Sequence, residues 1–220
     1  MDKRLFAIGD IHGCYDPFVD LVEQKISIRK GDRLVLLGDY IDRGNNSREV
    51  IDYIIEMQDQ GLDIITLMGN HESMMLDALG SEQAKYNWFM NGGYDTLQSF
   101  GIESVNQLNI KYLHFFKSLL HYYIEDKFIF VHAGFNDDIS NPFEDKFQMI
   151  WSRRETYSNP VFNEKIIIHG HTPVPFSSCL KEVNSDNRVI NIDTGCVYDD
   201  LGGYGHLTAI ELFTRQLYSV

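Results

Sequence analysis

Three stretches of the chain end alike: Leu5-Phe6-Ala7-Ile8-Gly9-Asp10, Leu34-Val35-Leu36-Leu37-Gly38-Asp39 and Ile64-Ile65-Thr66-Leu67-Met68-Gly69-Asn70. Each is a short apolar run closed by glycine and a polar residue, the pattern of a buried strand finishing in a turn. Between the first two, residues 17–26 predict a helix, with Asp16 as N-cap, Pro17 at the first helical position, and Phe18, Leu21 and Val22 at helical spacing. Between the second and third, residues 48–60 predict another. An Asn46-x-x-Glu49 box opens it, Val50, Ile51, Ile54 and Ile55 share one face, and Gly61 closes it. Asp10, Asp39 and Asn70 are thus 29 and 31 positions apart. That is the length of a strand–helix–strand unit, so the three strands are expected to be parallel, with their carboxyl ends facing one way.

Downstream, Phe128-Ile129-Phe130-Val131 runs into His132-Ala133-Gly134, and Ile166-Ile167-Ile168 into His169-Gly170-His171. Five expected strand ends therefore present Asp, Asn or His. Residues 72–123 between the two groups read as a helical or mixed cap, in which 109–123 form an apolar helix carrying Tyr112, Leu113, Phe116, Leu119 and Leu120. His114 and His121 on that helix, and His206 beside a glycine-rich turn, read as structural histidines. Residues 189–192, 207–212 and 216–220 are β-like and predict an antiparallel finish to the sheet. The fold class is α/β.

Composition narrows the function. With 220 residues, 44% of them hydrophobic, the chain can bury a sizeable core without disulfides, and residues 1–220 read as one domain. Nineteen Lys and Arg against 32 Asp and Glu leave a net charge of −13, which repels phosphate backbones and argues against a nucleic-acid polymer as partner. Cys14, Cys179 and Cys196 are far apart with no C-x-x-C pair, which fits a reducing compartment and argues against a cysteine-held zinc. The charged start Asp2-Lys3-Arg4 precedes only four apolar residues, too few for a secretory signal. No apolar run reaches the ~18 residues of a membrane span. A cytoplasmic protein with no membrane partner is expected.

Polar residues at strand carboxyl ends line the ligand crevice of an α/β sheet. Asp10, His12, Asp39, Asn70, His132 and His171 offer oxygen and nitrogen donors without thiolate. That set favours manganese, iron or zinc over copper, and its histidines argue against a calcium cage. Six donors exceed one open catalytic site, so two ions sharing a carboxylate are expected, with a bridging water acidified to hydroxide near neutral pH. Asp42-Arg43 after the second strand and His71 after Asn70 add an arginine suited to phosphoryl oxygens and a histidine backed by a carboxylate. Together these predict phosphoester hydrolysis. Gly31-Asp32 is the control: the same dipeptide here precedes a strand and reads as a turn without a ligand role.

Gly9-Asp10-Ile11-His12-Gly13, Gly38-Asp39-Tyr40-Ile41-Asp42-Arg43-Gly44 and Gly69-Asn70-His71-Glu72 resemble the three ordered blocks of the PPP-type metallophosphoesterases, which include the serine/threonine protein phosphatases. The resemblance implies a calcineurin-like β-sandwich flanked by helices, with a dinuclear metal site at strand carboxyl ends. It implies that Asp10, His12 and Asp39 hold one ion, that Asp39, Asn70, His132 and His171 hold the other with Asp39 bridging, that Asp42 pairs with His71, and that Arg43 binds phosphate. Trp151-Ser152-Arg153 is similar to a Trp-x-Arg segment of the compact bacterial and bacteriophage enzymes, which points to Arg153 rather than Arg154 as a second phosphate-binding arginine. Asn91-Gly92-Gly93 and Asn191-Ile192-Asp193-Thr194-Gly195 also resemble that branch. His171 is then the ligand, and His169 its neighbour.

The implied cofactors are two divalent ions, manganese foremost, with iron or zinc as alternatives. The implied substrates are phosphoserine and phosphothreonine in proteins, with phosphotyrosine admitted by a shallow cleft. The implied mechanism has a bridging hydroxide attack phosphorus in line while Arg43 and Arg153 grip its oxygens and His71, oriented by Asp42, protonates the leaving alkoxide. The alternative is a nucleotide substrate, as in the symmetrical dinucleoside tetraphosphatases, whose blocks read GDLVARG and GNHD where this chain has Asp42 and Glu72.

Overall fold

The computed structural model describes residues 3–198 and 202–220; Asp2, part of the charged start of the chain, lies outside them. Strands β1 (Leu5–Ile8), β2 (Arg33–Leu36) and β3 (Asp63–Thr66) pair in parallel, as their spacing predicts, with β2 between the other two. Strands β8 (Thr208–Glu211) and β9 (Gln216–Ser219) extend this sheet antiparallel beyond β1, giving the order β3-β2-β1-β8-β9.

A second sheet holds β4 (Tyr122–Glu125), β5 (Phe128–Val131), β6 (Ile166–His169) and β7 (Val189–Asn191) in that order. There β5, β6 and β7 run parallel and β4 antiparallel. Two expectations are corrected. The five polar strand ends come from two sheets, and residues 189–191 run parallel to β6 instead of joining an antiparallel finish. An apolar run signals burial on both faces but carries nothing about which strand it pairs with.

Alternation along the strands separates the layers. Leu5, Ala7, Val35 and Leu37 face Phe128, Phe130, Ile168 and Ile190 in the core between the sheets. Phe6, Ile8, Leu34 and Leu36 point the other way, onto Phe18, Val50, Ile54 and Phe116 of the helical layer. On the far side of the second sheet, Ile129, Val131 and Ile167 cover Phe135, Met149 and Phe162. Each fully buried side chain of this kind contributes roughly 1.5–3 kcal/mol.

Helix α1 (Tyr15–Asp20) passes into a π-helical turn, Leu21–Ile26. It begins two residues before the predicted start, so Cys14 takes the N-cap position and Asp16 sits in the first turn. In α2 (Ser47–Asp59), Asn46 is the N-cap but makes no side-chain bond. The expected box does not form there: Asn46 leaves the first turn uncapped, and Glu49 accepts from Ser99 Oγ at 3.2 Å.

The cap is built from α3 (Asn70–Asp77), α4 (Glu82–Phe89), α5 (Gly93–Phe100) and α6 (Ile110–Ser118). Residues 109–123 are therefore not one helix. After Ser118 the backbone turns extended, Leu120 exchanges backbone bonds with Thr66 and Met68, and the chain enters β4. Helices α7 (Lys146–Trp151) and α8 (Phe176–Val183) flank the second sheet. Among the described residues no helix is long and apolar enough to cross a membrane.

Candidate metal centre

The carboxyl ends of both sheets meet. Asp10 and His12 follow β1, Asp39, Asp42 and Arg43 follow β2, Asn70 and His71 open α3 beyond β3, His132 follows β5, and His171 follows β6. His12, Asp39, Asp42, Arg43 and His171 all have left-handed backbone, with φ from 46° to 73°, a conformation that costs a non-glycine residue about 1 kcal/mol or more. The surrounding bonds hold them there. The Ile11 and His12 amides donate to the Asp39 carbonyl at 3.0 and 2.8 Å.

Glu72, buried, accepts from the amides of Asp39 (2.9 Å), Tyr40 (2.8 Å), Ile41 (3.3 Å) and Gly69 (3.1 Å). It ties the second block to the third, a role its place in the motif does not disclose. Gly69 permits this approach: a Cβ there would lie 2.7 Å from Glu72 Oε2 and 2.1 Å from Asp39 Oδ1.

Hydrogen bonds fix where the histidine protons are. His12 Nδ1 donates to the Ile41 carbonyl (2.8 Å) and His132 Nδ1 to the Leu37 carbonyl (3.0 Å). A carbonyl only accepts, so each Nε2 carries a lone pair. Burial holds these rings neutral: it pushes His12 and His171 down to about 3 and also lowers His132.

His132 Nε2 lies 3.0 Å from Asn70 Oδ1, 3.2 Å from His171 Nδ1 and 3.4 Å from Asp39 Oδ2, and His171 Nδ1 is 2.9 Å from Asn70 Oδ1. His12 Nε2 is 3.5 Å from the same Asp39 oxygen. Asp39 thus belongs to two donor clusters, one with His132 and His171 and one with His12 and His71. Acceptors crowd together with too few protons among them, and the donors suit divalent cations.

Asp10 accepts the His171 amide at 3.1 Å. Burial raises its pKa well above the carboxylate range, reinforced by Asp193 and Asp39. Burial likewise pushes Asp193 up to about 7. Asp193 stands in another strand-to-glycine turn, outside the six donors expected from the sequence.

His71 donates from Nδ1 to Asp42 Oδ2 at 2.7 Å, while its amide donates to Asp39 Oδ1 at 3.1 Å. Its Nε2 is buried without a hydrogen-bond partner among the described residues, 4.0 Å from Asp39 Oδ2. Burial would lower its pKa, but Asp39 and Asp42 outweigh burial and raise it. Asp42 is held in turn by Trp88 Nε1 (2.8 Å) and Thr96 Oγ1 (2.6 Å), so α4 and α5 aim the catalytic candidate. Gly93 lets Trp88 in, since a Cβ there would meet the indole at 2.4 Å.

Arg43 Nη1 donates to His12 Nε2 at 2.8 Å. Arg153 is exposed and donates from Nη1 to Thr172 Oγ1 at 3.3 Å, whereas Arg154 is tied to Asp138 at 2.9 Å. His169 stands apart from the donor clusters, with Nδ1 donating to the Gly170 carbonyl at 3.1 Å. His206 packs against Phe176, and His114 is exposed. Cys14 Sγ donates to the His12 carbonyl at 3.7 Å, and the neighbouring Cys196 brings its pKa down.

Residues 3–198 match the family described as calcineurin-like phosphoesterase. Serine/threonine-protein phosphatase 2 of Salmonella typhimurium is 27% identical over 207 residues, covering 88% of this chain and 88% of that protein. An asymmetrical bis(5'-nucleosyl)-tetraphosphatase of Anoxybacillus flavithermus is 28% identical over 249 residues, covering 97% and 92%. A protein serine/threonine phosphatase structure from Saccharomyces cerevisiae superposes with a TM-score of 0.68 at 15% identity, covering 100% of this chain and 79% of that one. That superposition establishes a shared fold.

Proposed function

The chain belongs to the calcineurin-like phosphoesterase family, and we propose that within it this protein is a metal-dependent phosphoprotein phosphatase. Its substrates are phosphoserine and phosphothreonine monoesters, with phosphotyrosine tolerated, and residues 1–220 act as one cytoplasmic catalytic domain. The observation that carries hydrolysis at this centre is His71, with Nδ1 locked onto buried Asp42 and Nε2 unpartnered beside Asp39, and the serine/threonine-protein phosphatase relative supports a phosphoprotein substrate.

Two divalent cations, manganese foremost, held by Asp10, His12 and Asp39 and by Asp39, Asn70, His132 and His171, supply when bound the Lewis acidity and acidified water that attack on phosphorus needs. Arg43 and Arg153 grip the phosphoryl oxygens with planar N–H forks. His12 Nε2 has one lone pair, which serves either Arg43 or a cation, so Arg43 would be free for phosphate when His12 holds a cation. His71 gives the Nε2 proton to the departing alkoxide, and Asp42 keeps the ring in the tautomer and orientation that permit it. General-acid help of this kind is worth about 10² to 10⁴ in rate.

The test is hydrolysis of p-nitrophenyl phosphate before and after chelation. Activity should vanish and return with manganese, and indifference to both treatments overturns the reading. A second reading, dinucleoside tetraphosphate hydrolysis, is favoured by the tetraphosphatase relative that covers 97% of this chain. That relative is named as asymmetrical, where the block comparison suggested the symmetrical class. Diadenosine tetraphosphate assayed beside a phosphothreonine peptide separates the two readings. A kcat/KM for the dinucleotide about tenfold or more above the peptide's replaces the first reading with the second.

A further inference from the structure

Beside Arg153 a cavity of about 430 Å³ opens between the loop after α7, α8 and the ends of β6 and β7. It has no part in holding cations or in protonating the leaving group. Its charges are sorted by depth. Arg153 and Arg188 line it as exposed residues, with Glu155 also exposed, whereas Glu182 is half-buried and His169 is only 8% exposed. Among the described residues neither Glu155 nor Glu182 has a cation within 4.0 Å.

His169 adds an acceptor to the cavity wall. Its Nδ1 proton is used on the Gly170 carbonyl, so Nε2 carries a lone pair. That atom makes no hydrogen bond among the described residues and is open to the cavity, while the ring as a whole is largely buried in its wall. The cavity therefore offers acceptors inside, from Glu182 and His169, with Glu155 nearby, and cations at its lip. A ligand that fits has N–H donors or positive charge at one end and an anion at the other.

We propose that this cavity receives a lysine or arginine side chain flanking the phosphorylated residue of the substrate. The inference rests on the phosphoprotein reading and names the sequence context that reading leaves open. Arg153 marks the junction, holding phosphate on one side while the basic side chain passes into the cavity on the other. Burial raises the Glu182 pKa and facing Glu155 raises it further, a repulsion that a cation between them relieves. The net charge of −13 also attracts a basic peptide at long range and repels a polyanionic nucleotide.

The test uses phosphothreonine peptides that differ at one flanking position, carrying lysine, norleucine or glutamate in turn before and after the phosphothreonine. The readout is the ratio of kcat/KM between peptides within each protein, so any general loss of rate divides out. In the wild-type protein lysine should exceed norleucine by about tenfold at its best position, mainly through KM, and the ratio should shrink as ionic strength rises. Glu155→Gln should reduce the ratio, and Glu155→Gln with Glu182→Gln should bring it to about one. Glutamine at 182 can keep the acceptor for the Asn191 amide, which is bonded at 3.0 Å. Glu155→Gln alone, at an exposed position, keeps the test alive if the double variant folds poorly.

Equal rates for lysine and norleucine, a preference for glutamate, or a ratio unmoved by the substitutions overturns the proposal. If phosphopeptides are hydrolysed well without discrimination, only this subsite falls. If diadenosine tetraphosphate outruns every peptide, the phosphoprotein reading falls and the subsite with it.

Discussion

The two ends of β1 and β2 treat charge in opposite ways. At the amino end, Arg4 pairs with buried Asp32, and Arg33 reaches Asp63 at 2.7 Å and also pairs with Glu125, which Lys3 meets at 3.2 Å. At the carboxyl end, Asp10, Asp39 and Asp193 are buried among imidazoles that burial keeps neutral. One Gly-Asp dipeptide, Gly31-Asp32, closes on an arginine of its own fold, while Gly9-Asp10 and Gly38-Asp39 sit among carboxyl groups and imidazoles whose lone pairs outnumber their protons. The difference teaches that the motif does not make the site. A strand's carboxyl end, where buried carboxyl groups and neutral imidazoles outnumber the one nearby arginine, Arg43, does.

Breaking the carboxyl end should give the largest effect. Asp39→Ala removes the oxygen common to both donor clusters, and hydrolysis of p-nitrophenyl phosphate should fall by about 10⁴-fold or more, to background. A variant retaining a tenth of the wild-type rate contradicts the shared role. His71→Asn should lower kcat by about 10³-fold while leaving inhibition by inorganic phosphate within about twofold of wild type. A matching loss of phosphate affinity would make His71 a binding residue instead.

The two ends should also differ in the sign of their pH dependence. Asp193, pushed up to about 7 from an ordinary 3.8, keeps in the folded, chelated protein a proton that the unfolded chain has released. Its contribution to stability is present below the unfolded value and is lost as pH rises through the window from about 4 to 7. Asp32 has the opposite sign. Burial alone would raise it, but Arg4 and the Arg29 amide bring its pKa below the ordinary value, so its contribution is present above that value and lost as pH falls. Differential scanning fluorimetry of the chelated protein should show Tm declining across the upper window, with Asp193→Asn flattening the decline. Manganese should raise Tm more at about pH 8 than at about pH 5, because protons compete with cations for the same oxygens. A manganese shift independent of pH would remove Asp10 and Asp193 from the account.

The smallest effect belongs to the amino end. Asp32→Asn should cost about 1–3 kcal/mol in urea unfolding, as expected for a buried charge-assisted pair that is broken, with kcat unchanged. A loss of activity beyond the loss of folded protein would mean that the two ends are coupled.

Much of the carboxyl end was legible because its residues lie within a few positions of their own strand turns, where local pattern and position coincide. Gly9-Asp10, Gly38-Asp39 and Gly69-Asn70 needed only the recognition that apolar runs end there. The supports were not legible because they act across long sequence separations. Trp88 and Thr96 hold Asp42 from α4 and α5, helices that amphipathic periodicity marks only as packing. Asn91-Gly92-Gly93 was the available signal, because a Cβ on Gly92 would lie 2.9 Å from the Arg43 amide nitrogen. Likewise the apolar pattern over residues 109–123 continues past Ser118, but Leu120 bonds across to the end of β3 and the chain turns into β4. There tertiary pairing decides between helix and strand, and periodicity cannot register it.

Metal stoichiometry tests the central claim most directly. After exhaustive chelation and equilibrium dialysis against manganese, elemental analysis of the wild-type protein should find two ions per chain, and of Asp39→Asn, none held tightly. One ion in the wild type, or two retained by Asp39→Asn, would contradict a centre in which a single aspartate is shared by both sites.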